Sequence, residues 1–201
     1  MPQSFFRRDP RKVAPQLLNK ILLAHDGRSG RIVEVEAYCG ADDPAAHTYN
    51  GKTKRNATMF GPPGHMYVYF TYGMHWCANV VCADEGVGAG VLLRALEPLT
   101  GLDRMRAARP RAKRDRDLCS GPARLAQALG ITGAHDGIAL FTGDAPFAVV
   151  DDGTPPPRGV QGSPRIGISR GQEHPWRWYV PGNVHVSKAS GADASRPRPR
   201  K

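Results

Sequence analysis

The chain has 201 residues, of which 40% are hydrophobic. This is enough for one sizeable core and predicts one domain rather than two. Lys and Arg number 28 against 18 Asp and Glu, giving a formal net charge of +10 that favours a polyanionic partner, with nucleic acid first. There is no apolar run of 18 residues and no basic amphipathic helix, so we do not expect binding to a membrane.

The first residues, MPQSFFRRDPRK, lack the apolar segment of a secretory signal, so we expect a cytoplasmic protein that is not secreted. The four cysteines, Cys39, Cys77, Cys82 and Cys119, form no CxxC pair and have no zinc-site spacing. An even number allows disulfides, but reduced and packed thiols fit a cytoplasmic chain better. We expect no bound metal and no cofactor.

In the first half of the chain, the segment PQLLNKILL at 15–23 has a helical pattern. A Gly-rich turn at 26–30 follows, and RIVEVEAY at 31–38 alternates like a strand. The polar stretch 39–64 is too long for a plain connection, which indicates a functional loop or one packed by its own side chains.

The next segment, YVYFTYGMHWCANVV, predicts two strands joined by a turn at Tyr72 and Gly73. Its tip carries Tyr72, Met74 and His75. Large apolar groups at an exposed turn reduce solubility unless they meet something, so the tip is either buried or inserted into a partner. The segment GVLLRALEPL after it reads as a further strand.

The second half begins with two predicted helices, GLDRMRAAR and CSGPARLAQALG. We expect the second helix to have Ser120 as its N-cap, Pro122 in its first turn and Gly130 at its end. Residues 142–163 are rich in Pro, Gly and Asp and predict a loop, whereas RIGIS and WRWYVPGNVHVS have strand-like composition.

Positive charge is concentrated in the second half, partly in RMRAARPRAKRDR, where seven of the thirteen residues at 104–116 are basic. Such a run is as often a solvated face as a phosphate-binding surface. The remainder lies in the tail RPRPRK. We expect one domain at 1–190 and a basic, disordered tail at 191–201.

Two carboxylates in RIVEVEAY are candidates for chemistry. On a strand, Glu34, Glu36 and Tyr38 share one face, together with Ile32. Arg94 interrupts an apolar strand and needs an anionic partner or a polar cavity, and Glu36 is a candidate for that partner. Such a carboxylate can activate water as a general base, and an arginine beside it favours its ionised form. A strand face with two glutamates is more often simply solvated.

Read in order, the segments EVEAY, His47, KRN, MFGPPGHMYVYFTYGMHWCANVV, GVLLRALEPL, DLCSGPARLAQALG, RIGIS and WRWYVPGNVHVS closely resemble the alkyladenine (3-methyladenine) DNA glycosylase family. The resemblance covers about 15–187. It implies a mixed α+β fold, in which one compact domain has a curved antiparallel β-sheet flanked by helices and a protruding hairpin that inserts into DNA. The 142–163 loop and the tail match the family poorly.

The resemblance also implies roles for individual residues. Glu36 looks like the catalytic base and Arg94 like the arginine that helps it hold the attacking water. Tyr72 is similar to the tyrosine that fills the gap left by the flipped nucleotide, and Met74 beside it assists or merely packs. The residues that match the walls of the base-binding pocket are Tyr38, His47, Tyr69 and, facing the amino group of normal guanine, Asn79.

The implied activity is excision of alkylated and deaminated purines (3-methyladenine, 7-methylguanine and hypoxanthine) from double-stranded DNA by a monomeric enzyme without lyase activity. Two alternatives remain. Glu34 and Glu36 are close enough in sequence to act as the paired acids of a hydrolase of nucleosides or small glycosides. The aromatic hairpin is also typical of a non-catalytic protein that binds lesions or single strands by stacking.

Overall fold

A computed structural model describes residues 1–187. Its framework is an antiparallel sheet of seven strands in the order β3-β4-β5-β2-β1-β6, with β7 pairing to β2 outside this path. The strands are β1 Ile21–Ala24, β2 Ser29–Tyr38, β3 Met66–Thr71, β4 His75–Cys82, β5 Ala89–Thr100, β6 Phe147–Val150 and β7 Arg177–Tyr179. The sheet curls around the core, and together with the helices it forms the expected α+β domain. The proposed tail at 191–201 lies outside the described residues, so the limit of the domain at 190 stays a prediction.

The two long strands β2 and β5 form the centre of the sheet. They pair along nearly their whole lengths, and the pairing shifts register near Ile32 and Glu34. Such an irregularity changes which face of a strand a side chain occupies. Ile32 accordingly packs in the hydrophobic core with Val35 and Ala37. The prediction that Ile32 shares a face with the two glutamates was wrong, because strict alternation does not hold across this shift.

The first long helix lies earlier than its sequence pattern indicates. It is α2, Pro10–Leu17, and follows the short α1, Gln3–Phe6. Asp9 caps α2 by accepting a hydrogen bond from the Arg11 amide at 2.8 Å, and Pro10 occupies the first turn. Asn19 then adopts a φ of 68°, which ends the helical path. The predicted helix at 15–23 was therefore wrong in its second half, which becomes β1.

Two further helices pack beside the sheet: α3, Leu102–Ala108, and α4, Pro122–Leu129. Gly130 ends α4 in the left-handed conformation with a φ of 72°, which confirms the predicted stop. Gly121, not Ser120, is the N-cap of α4. Ser120 instead forms a backbone bridge with Ala95, and this contact with the sheet removes it from the cap position.

The last third of the chain departs most from its sequence pattern. Strand β6 lies inside the predicted loop 142–163, because its backbone completes the sheet beside β1. The RIGIS segment at 165–169 is a loop and not a strand. In the following strand-like stretch, only Arg177–Tyr179 pairs with β2. No helix within 1–187 is long and apolar enough to cross a membrane, and the four cysteines are unpaired thiols.

Candidate functional site

The β3–β4 hairpin stands beside a cavity of about 570 Å³. The strands pair in register from Met66↔Val80 to Thr71↔His75, so the turn falls at Tyr72 and Gly73, as predicted. Both turn residues have positive φ, 52° and 65°, as a tight hairpin turn requires. The side chain of Tyr72 is 83% exposed and that of Met74 68% exposed. The tip is therefore not buried against its own chain.

Six of the eight predicted site residues line this cavity: Tyr38, His47, Tyr69, Tyr72, Asn79 and Arg94. Met74 lies on the hairpin tip outside it. Glu36 lies behind the wall, with no exposed surface, in contact with Tyr38 and Arg94. The sheet thus brings together residues that are up to 58 positions apart, from Glu36 on β2 to Arg94 on β5.

Each oxygen of the Glu36 carboxylate has a defined partner. Oε2 accepts a hydrogen bond from the Tyr38 hydroxyl at 2.9 Å. Oε1 accepts one from the Ile166 backbone amide at 2.8 Å and lies 3.1 Å from Nη1 of Arg94. These contacts confirm that Arg94 pairs with Glu36. The carboxylate is buried at the junction of β2, β5 and the 165–171 loop.

The pKa of Glu36 reflects a competition between burial and its partners. Burial raises this pKa, and it outweighs Arg94, the Ile166 amide and the Tyr38 hydroxyl, which all favour the ionised form. Arg94 favours the ionised form of Glu36, as predicted, but the prediction left out burial, which outweighs it. A raised carboxyl pKa moves toward neutral pH, where a general base is most effective.

Glu34, the other carboxylate of the predicted pair, is a structural anchor in this arrangement. Its Oε1 accepts hydrogen bonds from Nε of Arg94 at 2.9 Å, Nε of Arg177 at 2.7 Å and the Ser187 hydroxyl at 2.8 Å. Its Oε2 accepts the Ser187 amide at 2.7 Å. Burial opposes ionisation, but the two arginines outweigh it and hold the pKa of Glu34 below its usual range.

The aromatic walls of the cavity contact one another. The His47 and Tyr69 rings are nearly perpendicular, with centroids 4.5 Å apart, and Tyr69 stacks on Tyr67 at 5.5 Å. Burial and the nearby Arg55 lower the pKa of His47, so its imidazole is neutral at neutral pH. Burial raises the pKa of Tyr69, and that of Tyr67 to about 12, so both phenols stay protonated.

Asn79 lies on β4 with 5% of its surface exposed, opposite Tyr67 on β3. Its amide donates a long hydrogen bond of 3.4 Å to the Tyr67 carbonyl. This contact places the side chain at the wall of the cavity, beside Cys77 of the same strand. A polar side chain held at this wall would contact the edge of a base that enters the cavity.

Several contributors to the cavity were not predicted. Tyr67 lines it, although its pattern is equally typical of a core residue. The 166–170 loop forms a further wall, for which a strand had been predicted. Three further partners of the two glutamates were not predicted either, because they come from segments far apart in the chain: the Ile166 amide, Arg177 and Ser187. Their only signal in the sequence is that RIGIS and WRWYVPGNVHVS belong to the family resemblance. Within the described part of the chain, no three His, Cys, Asp or Glu side chains are grouped to hold a metal ion.

Comparisons with known proteins show the family. The family model described as methylpurine-DNA glycosylase (MPG) matches residues 4–184. A protein of Burkholderia lata is 69% identical over 187 residues, covering 93% of this chain and 90% of its own. A protein of Koribacter versatilis is 48% identical over 192 residues, covering 93% and 92%. Both carry the name "Putative 3-methyladenine DNA glycosylase". The chain belongs to the methylpurine-DNA glycosylase family and is a DNA glycosylase.

Proposed function

We propose that this enzyme excises alkylated and deaminated purines, namely 3-methyladenine, 7-methylguanine and hypoxanthine, from double-stranded DNA. The damaged nucleotide is flipped into the cavity and water cleaves the N-glycosidic bond, leaving an abasic site. The observation that carries the proposal is the buried Glu36–Arg94 pair directly behind an aromatic cavity, next to the exposed Tyr72. An exposed aromatic tip, an aromatic cavity and a buried carboxylate side by side support a base-flipping mechanism.

The hairpin tip supplies the first step. Rotating a nucleotide out of the duplex costs a few kcal/mol, least for a damaged or poorly paired base. Tyr72, which is 83% exposed, is available to enter the vacated space, with Met74 beside it. Stacking of the extruded base on an aromatic side chain returns about 1–3 kcal/mol. Tyr38, Tyr69 and His47 offer such surfaces inside the cavity.

The electrostatics of the cavity favour N-alkylated purines. These bases carry positive charge, which an aromatic face attracts. Because His47 is neutral at neutral pH, it does not repel them. The same charge weakens the glycosidic bond and makes the base a good leaving group. Hypoxanthine is neutral and is accepted by shape and hydrogen bonding, with Asn79 set against the amino group of normal guanine.

Glu36 acts as general base for the attacking water, with Arg94 helping to hold that water. A carboxylate oxygen can accept two hydrogen bonds, so Oε2 retains capacity for water beside the Tyr38 hydroxyl. Glu36 has no exposed surface, so this step requires water to enter between Tyr38 and Arg94, the two residues through which Glu36 adjoins the cavity. The oxygen of the water bonds to the sugar carbon, the base leaves with the bonding electrons, and Glu36 takes the proton.

The alternatives have less support. Both carboxylate oxygens of Glu34 accept hydrogen bonds, from Arg94, Arg177 and Ser187, which disfavours a paired-acid hydrolase. None of the lysines at 1–187 lines the cavity, so no Schiff base and no strand cleavage are expected. We propose that the enzyme works as a monomer on DNA in the cytoplasm.

The test is base release from duplexes containing hypoxanthine and from methylated duplex DNA, with abasic sites revealed by alkali. The parent is compared with Glu36→Gln and with Glu85→Gln, which makes the same change at an exposed carboxylate outside the cavity. We expect release by the parent and Glu85→Gln, and none by Glu36→Gln although it still binds DNA. Release of bases from free nucleosides would support the hydrolase instead. Lesion binding without release by the parent would support a non-catalytic binder.

A further inference from the structure

A second buried ion pair lies behind the cavity, formed by Asp43 and Arg165. Neither side chain has any exposed surface. Nη2 of Arg165 donates to Oδ1 of Asp43 at 2.8 Å, and Nη1 donates to Oδ2, which makes the pair bidentate. The two residues are 122 positions apart. The pair therefore fixes the 39–47 loop to the loop that begins at Arg165.

Arg165 also holds its own loop at both ends. Its Nη2 donates to the Gly171 carbonyl at 3.2 Å, closing the segment 165–171 on itself. Gly171 has a φ of 62°, and a Cβ there would come within 3.0 Å of Nη2, so the position requires glycine. Residues 166–170 between these two ends form one wall of the cavity. The guanidinium thus sets the shape of that wall.

The same guanidinium is tied to the strand that carries Glu36. Nη1 donates to the carbonyl of Ala37, the next residue, at 3.0 Å. The guanidinium also lies over the ring of Tyr38, 4.8 Å from its centroid. Ile166, which follows Arg165 directly, donates its amide to Glu36 at 2.8 Å. Arg165 therefore contacts Tyr38 directly and adjoins Ile166 in the chain, and these two residues donate the hydrogen bonds that Glu36 accepts.

We propose that Arg165 and Asp43 are a positioning pair that holds the Ile166 amide against Glu36 and the Tyr38 ring against the cavity. The inference rests on the proposed function, in which Glu36 is the base. Neither member of the pair lines the cavity, so neither touches substrate. Their effect on the reaction passes through Glu36 and Tyr38. Misplacement of a reacting group by about 1 Å lowers a rate by on the order of a hundredfold, so a small shift of the loop is sufficient.

The charge of Glu36 also depends on other groups that face it. Arg94 approaches from β5 and Arg177 lies opposite on β7. Glu34 and Tyr38 belong to its own strand, and Tyr69 interacts with it from β3. Arg165 adds a positive charge from the loop. A test variant must therefore keep the positive charge at position 165 while it loosens the 165–171 loop.

Arg165→Lys meets that condition. Lysine retains the charge, but a single ammonium cannot reach Asp43, Ala37 and Gly171 in the fixed geometry of a guanidinium. We expect the Ile166–Glu36 hydrogen bond to weaken, which raises the pKa of Glu36 further and moves the acid limb of the pH–rate profile to higher pH. We expect kcat to fall about tenfold to a hundredfold, with a smaller change in KM.

The matched control is Arg31→Lys. Arg31 forms a bidentate pair with Asp152 at 2.7 and 3.3 Å, joining β2 to a loop outside the cavity. This variant should lose stability but keep the parent's pH–rate profile. If Arg165→Lys behaves in the same way, with reduced stability and an unmoved acid limb, the pair is purely structural and the proposal is overturned.

The pKa of Glu36 is measured directly from its carboxyl ¹³C resonance, assigned by its absence in Glu36→Gln. This measurement needs no activity, so it decides on positioning even where the parent releases no base and the proposed function fails. An unchanged Glu36 pKa in Arg165→Lys overturns the proposal. If that variant does not fold, Asp43→Asn, which keeps the size of the side chain, is examined by amide exchange. Exchange at Ile166 should accelerate about tenfold or more, and unchanged exchange overturns the proposal.

Discussion

Glu34 and Glu36 lie two residues apart on β2, both without exposed surface and both against Arg94, yet their pKa values are displaced in opposite directions. The difference lies in their partners. Glu34 receives two arginines and both donors of Ser187. Glu36 shares one arginine with Glu34 and otherwise has neutral donors. One strand therefore carries one carboxylate whose charged form is favoured, Glu34, and one whose protonated form is favoured relative to a free glutamate, Glu36.

This asymmetry predicts opposite pH dependences of stability. A raised folded pKa means that the native state holds its proton more tightly than the unfolded chain, so stability falls as pH rises from about 4.3, the usual carboxyl value of glutamate, through the folded pKa. Glu36→Gln removes that loss. Its free energy of unfolding should exceed the parent's above this window, and the excess should shrink at lower pH.

Glu34→Gln should lower the free energy of unfolding at neutral pH, the opposite of the effect expected for Glu36→Gln. The lowered pKa of Glu34 stabilises the fold above about pH 4.3, and this contribution is lost as pH falls through the folded pKa. Removing the Glu34 charge deprives Arg94 and Arg177 of this carboxylate partner. We therefore expect the free energy of unfolding to fall by about 3 kcal/mol at neutral pH and by less in acid. Urea unfolding between pH 3.5 and 8 measures both variants. Effects of the same sign in the two variants would contradict the assignment.

The hairpin tip predicts a conflict between stability and activity. Tyr72 holds a φ of 52°, which costs a non-glycine residue about 1–2 kcal/mol. Tyr72→Gly relieves this strain, less the extra entropy of glycine in the unfolded chain, and should raise the free energy of unfolding by about 0.5–1 kcal/mol. The same variant should release bases from duplex DNA far more slowly, because the wedge is absent.

Tyr72→Ala separates the two effects. It removes the ring but keeps a Cβ at the strained position, so base release should fall while stability stays near the parent's. Nonspecific DNA binding should remain in both variants. Single-turnover base release and urea unfolding are the measurements. If Tyr72→Ala excises bases from duplex DNA as fast as the parent, Tyr72 is not a wedge.

The hairpin and the Glu36–Arg94 contact could be predicted because their signals are local or compelled by burial. Period-two alternation and a Tyr-Gly turn define the hairpin, and a guanidinium inside an apolar strand needs an anionic partner or a polar cavity. The shift in β2 could not be foreseen, since nothing in RIVEVEAY marks where alternation fails. Strand β6 was hidden because its neighbours in the sequence are loop-forming, and only pairing with β1 makes it a strand.

The supporting contacts of the site were unpredictable for a different reason. Arg165 and Asp43 are 122 positions apart, and Glu34 and Ser187 are 153 apart. No spacing rule relates such residues. RIGIS has the composition of a strand, but the Ile166 amide serves the Glu36 carboxylate instead of a sheet. Loops that support a site are held by individual long-range contacts that follow no sequence pattern. Such contacts can be identified only from the folded structure.

The role proposed for Asn79, exclusion of normal guanine, predicts the effect of removing its amide. Its amide stands at the cavity wall, 3.4 Å from the Tyr67 carbonyl. Asn79→Ala should remove the obstacle to the guanine amino group and raise guanine release relative to hypoxanthine release by about tenfold or more. Cys77→Ala is the control, since Cys77 lines the same cavity from the same strand. An equal change of the ratio in Cys77→Ala would show that cavity size, and not the amide, excludes guanine.

The basic run at 104–116 contains arginines of two kinds, and only one kind is free for DNA. Arg106 is held by Asp103 at 2.6 Å and by Asp115 at 2.7 Å. Arg116 is exposed, makes no ion pair with any residue of 1–187, and lines a cleft that shares Arg94 with the main cavity. A charge already neutralised by carboxylates releases fewer counterions from DNA than a free one.

We therefore expect Arg116→Ala to weaken binding of duplex DNA more than Arg106→Ala does. Each phosphate contact contributes about 0.9 to the slope of log K against log salt. The slope for Arg116→Ala should fall by about one, and that for Arg106→Ala by clearly less, when affinity is measured between about 50 and 200 mM salt. Base release at saturating enzyme should be unchanged in Arg106→Ala. Equal slopes for the two variants would mean that the carboxylates around Arg106 yield to phosphate, and that ion pairing within the protein does not determine which arginines contact DNA.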